Sequence, residues 1–192
     1  MTATAVQLAK GSTLGSTLAF LRTLGGGEAE AALARMAPEE RARIDAAAPT
    51  DEVPLELLLA LWAAVDDEVG ATHPDWPERS GALAIEATGV QLYGGILLKK
   101  SPTDCLTQRV SRFRLFYHPG DMEVVQAADG RAVLRLVGFD PVHPFFCRRQ
   151  SGGLLRSVQL AGGTDASVRH VRCSLEGDAF CEWELRWTVT TP

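Results

Sequence analysis

The sequence is short of the residues that usually announce a chemistry: among 192 positions there are four cysteines, four histidines and two tyrosines. It has no excess of positive charge, with 19 Lys and Arg against 24 Asp and Glu and a net charge of −5. A surface that tracks phosphates needs clustered Lys and Arg, so no nucleic-acid partner is expected. Long apolar runs are also lacking. The longest, from Val53 to Val65, contains Glu56 and is too short to span a bilayer. Residues 1–10 show no basic stretch followed by an apolar one, so no signal peptide is expected and the location reads as cytoplasmic. No Ser-His-Asp or Cys-His arrangement and no dinucleotide fingerprint stands out. The glycines of Gly89 to Gly95 lack the preceding strand and the following Lys-Ser/Thr of a phosphate loop. A non-enzymatic role is the first expectation.

What is present is an ordinary globular composition, 46% hydrophobic and 22% charged, enough for one domain with a real core. The first part reads as helical. Leu14, Leu18 and Leu21 recur at helical spacing before Gly25-Gly26-Gly27, an Ala-rich stretch covers 28–36, and Pro38-Glu39-Glu40 opens another helix. Residues 53–69 carry Leu55, Leu58, Leu59, Trp62 and Val65 on a wide apolar stripe closed by Gly70, a face that would suit a homodimer. His73 to Pro77 reads as a turn, Glu78 to Leu98 as an interrupted helix, and Ser101 as the entry to one reaching Phe116. Then the period changes. Residues 122–127 and 131–139 are β-rich around Ala128-Asp129-Gly130, 141–163 is helical, and 168–173 pairs with 181–189 in a second hairpin. In the last strand Cys181, Trp183, Leu185, Trp187 and Val189 share one face, and Glu182, Glu184, Arg186 and Thr188 the other. The class is α+β: a helical lead-in over 1–77, then a β-β-α-β-β core over 78–192 with an antiparallel sheet.

Cys173 and Cys181 flank the turn of the second hairpin, and Cys147 lies on the inward face of the preceding helix near its N-terminus, where a thiolate is favoured. His170 completes a possible Cys3His set of the kind that holds zinc. On a regular strand His170 and Cys173 would leave opposite faces, so a bulge or an early strand end is required. Failing that, the fourth ligand would be His143, Glu176, Asp178 or water. Packed free thiols and a disulfide remain alternatives at this point. The fourth cysteine, Cys105, reads as core.

The stretch Cys173-Ser-Leu-Glu-Gly-Asp-Ala-Phe-Cys181-Glu-Trp resembles the end of the 4-vinyl reductase domain family, with Gly138-Phe139 and the helix from Pro144 to Gly163 in the same layout. The resemblance covers roughly 78–189. It implies a fold shared with transport-particle (TRAPP) subunits, often dimeric, with a small-molecule pocket between helices and sheet. It also implies a structural zinc, which carries over to Cys147, His170, Cys173 and Cys181. The His and Trp that anchor phenol in one branch of that family have no counterpart between Gln91 and Lys100 or between Asp121 and Gly138, so an apolar or aromatic ligand is the expectation.

Candidate pocket residues are Leu92, Tyr93, Ile96, Leu97, Phe113, Phe116, Phe139 and Phe146, with Phe145 nearby. The expected function is therefore a zinc-bearing sensor or binding protein for a small apolar ligand. The alternatives are a scaffold of the TRAPP-like fold, a tetrapyrrole-related reductase, and a haem-based gas sensor using His73, His118 or His143. Arg148-Arg149, beside Cys147, would act on the thiolate, meet an acidic partner, or simply be surface.

Overall fold

The computed structural model describes residues 6–89, 101–107 and 113–189. Helices α1 (Gly11–Arg22), α2 (Glu28–Ala34), α3 (Pro38–Ala46), α4 (Leu55–Val69) and α5 (Trp76–Leu83) come first, with a π-helical turn at Ala84–Gly89 continuing α5. Helix α6 (Pro102–Thr107) and a 3-10 turn (Phe113–Leu115) lead into strands β4 (Asp121–Ala128) and β5 (Arg131–Val137). Then come helix α7 (Pro144–Leu160), strand β6 (Thr164–Arg172), a 3-10 turn (Ser174–Glu176) and strand β7 (Glu182–Thr188). The four strands form one antiparallel sheet in the order β4-β5-β7-β6.

Three short strands, β1 (Leu8–Lys10), β2 (Glu52–Pro54) and β3 (Tyr117–His118), make a second small sheet in the order β2-β1-β3. Strands of two or three residues are too short to show a period, and nothing in the sequence pointed to them. They tie the start of the chain to the aromatic segment before β4. Residues Trp76 and Pro77, expected in a turn, already belong to α5. The proline fits the first helical turn, where its missing N–H costs nothing. The Trp76 indole is buried and donates to Asp66 Oδ1 at 2.8 Å.

One hydrophobic core runs from Ala9 to Trp187 and includes both helices and sheet. Helix α4 gives its stripe to this core: Leu55, Leu57, Leu58, Leu61, Trp62, Ala64, Val65 and Val69 are all buried. The face expected to serve a dimer is thus consumed within the chain. On β7 the alternation is also modified. Glu182 and Glu184 are as buried as core residues because arginines cover them. Glu184 pairs with Arg186 at 2.7 Å and Arg131 at 3.0 Å, and Glu182 with Arg135 at 2.8 Å. The Arg186 hydrogen bond, helped by Arg131 and Arg169, holds the Glu184 carboxyl below the usual carboxylate range. Val189, expected on the buried face, is exposed just past the strand end.

Helices α5 and α7 cross with backbones in contact. A Cβ on Gly81 would collide with the Arg149 carbonyl, and one on Gly152 with the Glu78 carbonyl. Helix α5 thereby positions the inward face of α7 against the sheet. Gly152→Ala is expected to destabilise the protein by about 1–3 kcal/mol, the usual cost of overpacking. Gly15→Ala, where a Cβ meets open space at an exposed position of α1, is expected to be neutral or stabilising. Thermal melts of the two variants make the check.

Candidate metal centre

Helix α7 and the β6–β7 hairpin bring four potential ligands together. Cys147 sits in the first turn of α7, which starts at the extended residue His143, whose Nδ1 accepts from Phe145 N at 3.2 Å. His170 comes from β6, Cys173 from the residue just after β6, and Cys181 from the residue just before β7. The irregularity that the parity of His170 and Cys173 demands is present. His170 pairs with Trp183 and Arg172 with Glu182, so two residues of β6 face one of β7 and a bulge falls at Val171. The turn beyond it is closed by Asp178, whose carboxylate accepts from the Cys173 amide at 2.8 Å, and by Gly177 at φ 97°. Glycine alone adopts that angle without strain.

The potential ligand atoms of Cys147, His170, Cys173 and Cys181 all lie within 4.8 Å of one another. None of the four cysteines forms a disulfide. The Cys147 and Cys181 sulfurs are 3.8 Å apart, far beyond a disulfide bond. Two thiolates on a tetrahedral zinc with bonds of about 2.3 Å stand about 3.8 Å apart, so this spacing is the edge of such a tetrahedron. Nε2 of His170 is buried and has no hydrogen-bond partner. A buried imidazole nitrogen left without a partner is costly, and a metal ion removes that cost. The donor set and its geometry fit a metal.

Electrostatics within the cluster are uneven. The hydrogen bond to Cys181, with burial, pushes the Cys147 thiol up. The same bond from Cys147, with further support from His170 and Ser174 and against the effect of burial, holds Cys181 down at about 4. The thiolate expected at Cys147 from its helix N-terminus is therefore placed on Cys181, which also receives the Ser174 amide at 3.4 Å. Ser174 and Trp183 were not foreseen in the sequence. Trp183 stacks on His170, with ring centroids 4.6 Å apart and planes 16° from parallel, and its indole donates to Ser151 Oγ at 3.0 Å. The other possible fourth ligands stay out: His143 caps α7, Asp178 closes the turn and Glu176 is exposed. Cys105 is buried in the core, its thiol 3.6 Å from the Ser157 carbonyl.

The pocket candidates divide. Phe113 and Phe116 line a partly enclosed cavity of about 40 Å³, with Thr13, Ala84, Ile85, Tyr117, Met122, Arg149, Gln150 and Gly153 among its other walls. Phe139 lines an open groove of about 520 Å³ that reaches Cys181. Phe146 is fully buried, stacked on Phe139 at 4.9 Å. Leu92, Tyr93, Ile96 and Leu97 lie outside the described residues.

A helical body joined to a four-stranded antiparallel sheet, with a metal-type cluster where the sheet meets α7, defines the class by architecture. Solved structures that match this fold include H-NOX domains. An H-NOX protein from S. oneidensis in the Fe(II)NO ligation state matches with a TM-score of 0.72 at 13% identity, over 94% of this chain and 99% of that one. An unliganded Fe(II) H-NOX mutant, A71G, from K. algicida matches with 0.69 at 10% identity, over 94% and 97%. An oxygen-binding H-NOX domain related to soluble guanylate cyclases, as its oxygen complex, matches with 0.66 at 13% identity, over 94% and 95%. No family model matches the sequence, and no curated protein matches it either.

These likenesses establish the fold and overturn the resemblance to the 4-vinyl reductase family with its TRAPP-like architecture. The reason is physical. Two cysteines around a Gly-Asp turn with a third on the preceding helix are what a metal clip requires, and that requirement belongs to the clip rather than to one fold. Of the earlier alternatives, the haem-based gas sensor is the one whose fold the chain shares.

Haem is therefore the group the fold implies, and the chain's histidines test it. His170 belongs to the metal cluster. His73 follows α4, half-buried, while His118 and His143 are exposed on β3 and at the α7 cap. None lines the cavity or the groove, and the cavity is small beside the several hundred cubic ångströms usual for organic cofactors. The described residues do not fit a histidine-ligated haem.

Proposed function

We propose that this protein is a small-molecule sensor module of the H-NOX fold, clipped by a zinc ion at Cys147, His170, Cys173 and Cys181. The observation that carries the metal is the convergence of three buried thiols and the His170 imidazole within 4.8 Å of one another. Zinc there is structural. With four protein ligands it has no open position for a water, and it supplies cross-linking energy rather than chemistry. It joins α7, β6 and the end of the hairpin. Cys181 and Ser174 provide the thiolate and its hydrogen bonds, and Trp183 fixes the imidazole plane. The recognition site is the cavity bordered by Phe113 and Phe116. Among the described residues no helix is long and apolar enough to cross a membrane, which is consistent with a cytoplasmic sensor.

The fold of its structural neighbours, whose names refer to haem, NO and oxygen, favours a second reading as a haem-based gas sensor. Absorbance separates the two. Purified protein, and protein incubated with haemin and desalted, is expected to show no stoichiometric Soret band. A band at one haem per chain would establish the gas-sensor reading and displace the first.

A further inference from the structure

Arg149 is out of place for an ordinary arginine. It is only 3% exposed, lies on the inward face of α7, and borders the partly enclosed cavity. The neighbouring Arg148 behaves conventionally, with a 2.7 Å ion pair to Glu78. Among the described residues Arg149 has no such partner. Its guanidinium donates to Ser80 Oγ and, at 3.5 Å, to Ser16 Oγ, interacts with the Tyr117 phenol, and lies 5.0 Å over the Trp62 ring. Every one of these groups is neutral. Burial pushes the Tyr117 phenol up, so it stays protonated and supplies no compensating charge.

Residues 1–5, 90–100, 108–112 and 190–192 contain no Asp or Glu, and among the described residues no Asp or Glu side chain pairs with Arg149. Arginine keeps its proton under all ordinary conditions. An isolated cation in a dry interior costs several kcal/mol unless something of opposite charge joins it. Here a cavity stands beside the cation. At the ~10–15 Å³ that one water-sized centre occupies, about 40 Å³ admits about three such groups.

We propose that the cavity is the site of a compact monovalent carboxylate or oxyanion, held by the Arg149 guanidinium with Tyr117 and Gln150 at its edge. The inference rests on reading the protein as a small-molecule sensor and gives that sensor's ligand a charge. A guanidinium offers a planar fork of donors that matches a carboxylate or a nitrate bidentately. The aromatic walls Phe113 and Phe116 exclude water and strengthen the pairing. A neutral molecule of the same shape would leave the charge uncompensated, so discrimination lies in the charge and not in the size.

The test is titration of formate, acetate and nitrate into the full chain at constant ionic strength, following the arginine Nε–Hε resonances. A single resonance, absent in Arg149→Met, is expected to shift saturably with these anions and to stay fixed with acetamide. Ala84→Leu, which fills the cavity wall and keeps Arg149, is expected to abolish the shift. Equal responses to acetate and acetamide, no response to any of the three anions, or a shift that survives Ala84→Leu would overturn the proposal. Zinc content measured on the same samples keeps the metal claim separate. A saturable response to a neutral apolar molecule alone would leave the sensor reading standing and the anionic ligand rejected.

Discussion

Cys181→Ala is expected to leave the protein without bound metal and to lower its melting temperature by roughly 5–16 °C. The range follows from a metal held at about 100–1,000 times its Kd, which contributes about 2.7–4.1 kcal/mol, at about 2–4 °C per kcal/mol for a chain of this size. A strong chelator should produce a similar fall in the wild type and none in the variant. Cys105→Ala is the matched control. It also removes a buried thiol, but one packed against the Ser157 carbonyl and away from the cluster, so metal content should be unchanged. The comparison separates a lost ligand from a lost volume. Cys181 is the sharpest position because Cys147 and both the amide and the hydroxyl of Ser174 converge on its sulfur.

The second large effect is expected at Trp183, which links the centre to the core. It is fully buried on β7, stacked on His170 and bonded to Ser151 of α7. Trp183→Ala should cost about 3–5 kcal/mol from the cavity alone. It should also weaken metal binding by about 10–100-fold, the usual effect of removing a group that orients a ligand. Trp183→Phe keeps an aromatic face for the imidazole and loses only the indole N–H, so its metal affinity should remain near that of the wild type while stability falls by about 1 kcal/mol. Competition with a chromophoric chelator measures the first quantity and denaturant melts the second. Equal metal affinities in the two variants would mean that the stacked ring does not position His170.

What the sequence revealed and what it hid follow from the range of the interactions involved. Helices α1 to α4 and the two hairpins were visible because each carries its own period or turn residues. The convergence of Cys147, His170, Cys173 and Cys181 was legible as spacing, since these residues lie close along the chain, and the strand parity of His170 and Cys173 called for a bulge or an early strand end, of which the structure has a bulge at Val171. The family assignment failed at the same place. A short metal-binding turn carries little information about the rest of the fold, and the architecture depends on how α5 packs against α7, a long-range property. Gly81 and Gly152, which set that crossing, look in sequence like any other helix glycine. Arg149 was hidden for a related reason. Next to Arg148 it reads as half of a surface pair, and only the rotation of α7 sends one arginine to Glu78 and the other into the interior. The buried glutamates of β7 likewise depend on arginines from two neighbouring strands.

The account turns on whether the four ligands hold one zinc ion, and X-ray absorption at the zinc edge on protein purified without added metal addresses this directly. A zinc stoichiometry near one per chain, with a first shell of three sulfurs at about 2.3 Å and one nitrogen at about 2.0 Å, is the expected result. Protein that carries no metal and melts at the same temperature with or without chelator, or zinc in a shell of oxygen and nitrogen alone, would contradict it.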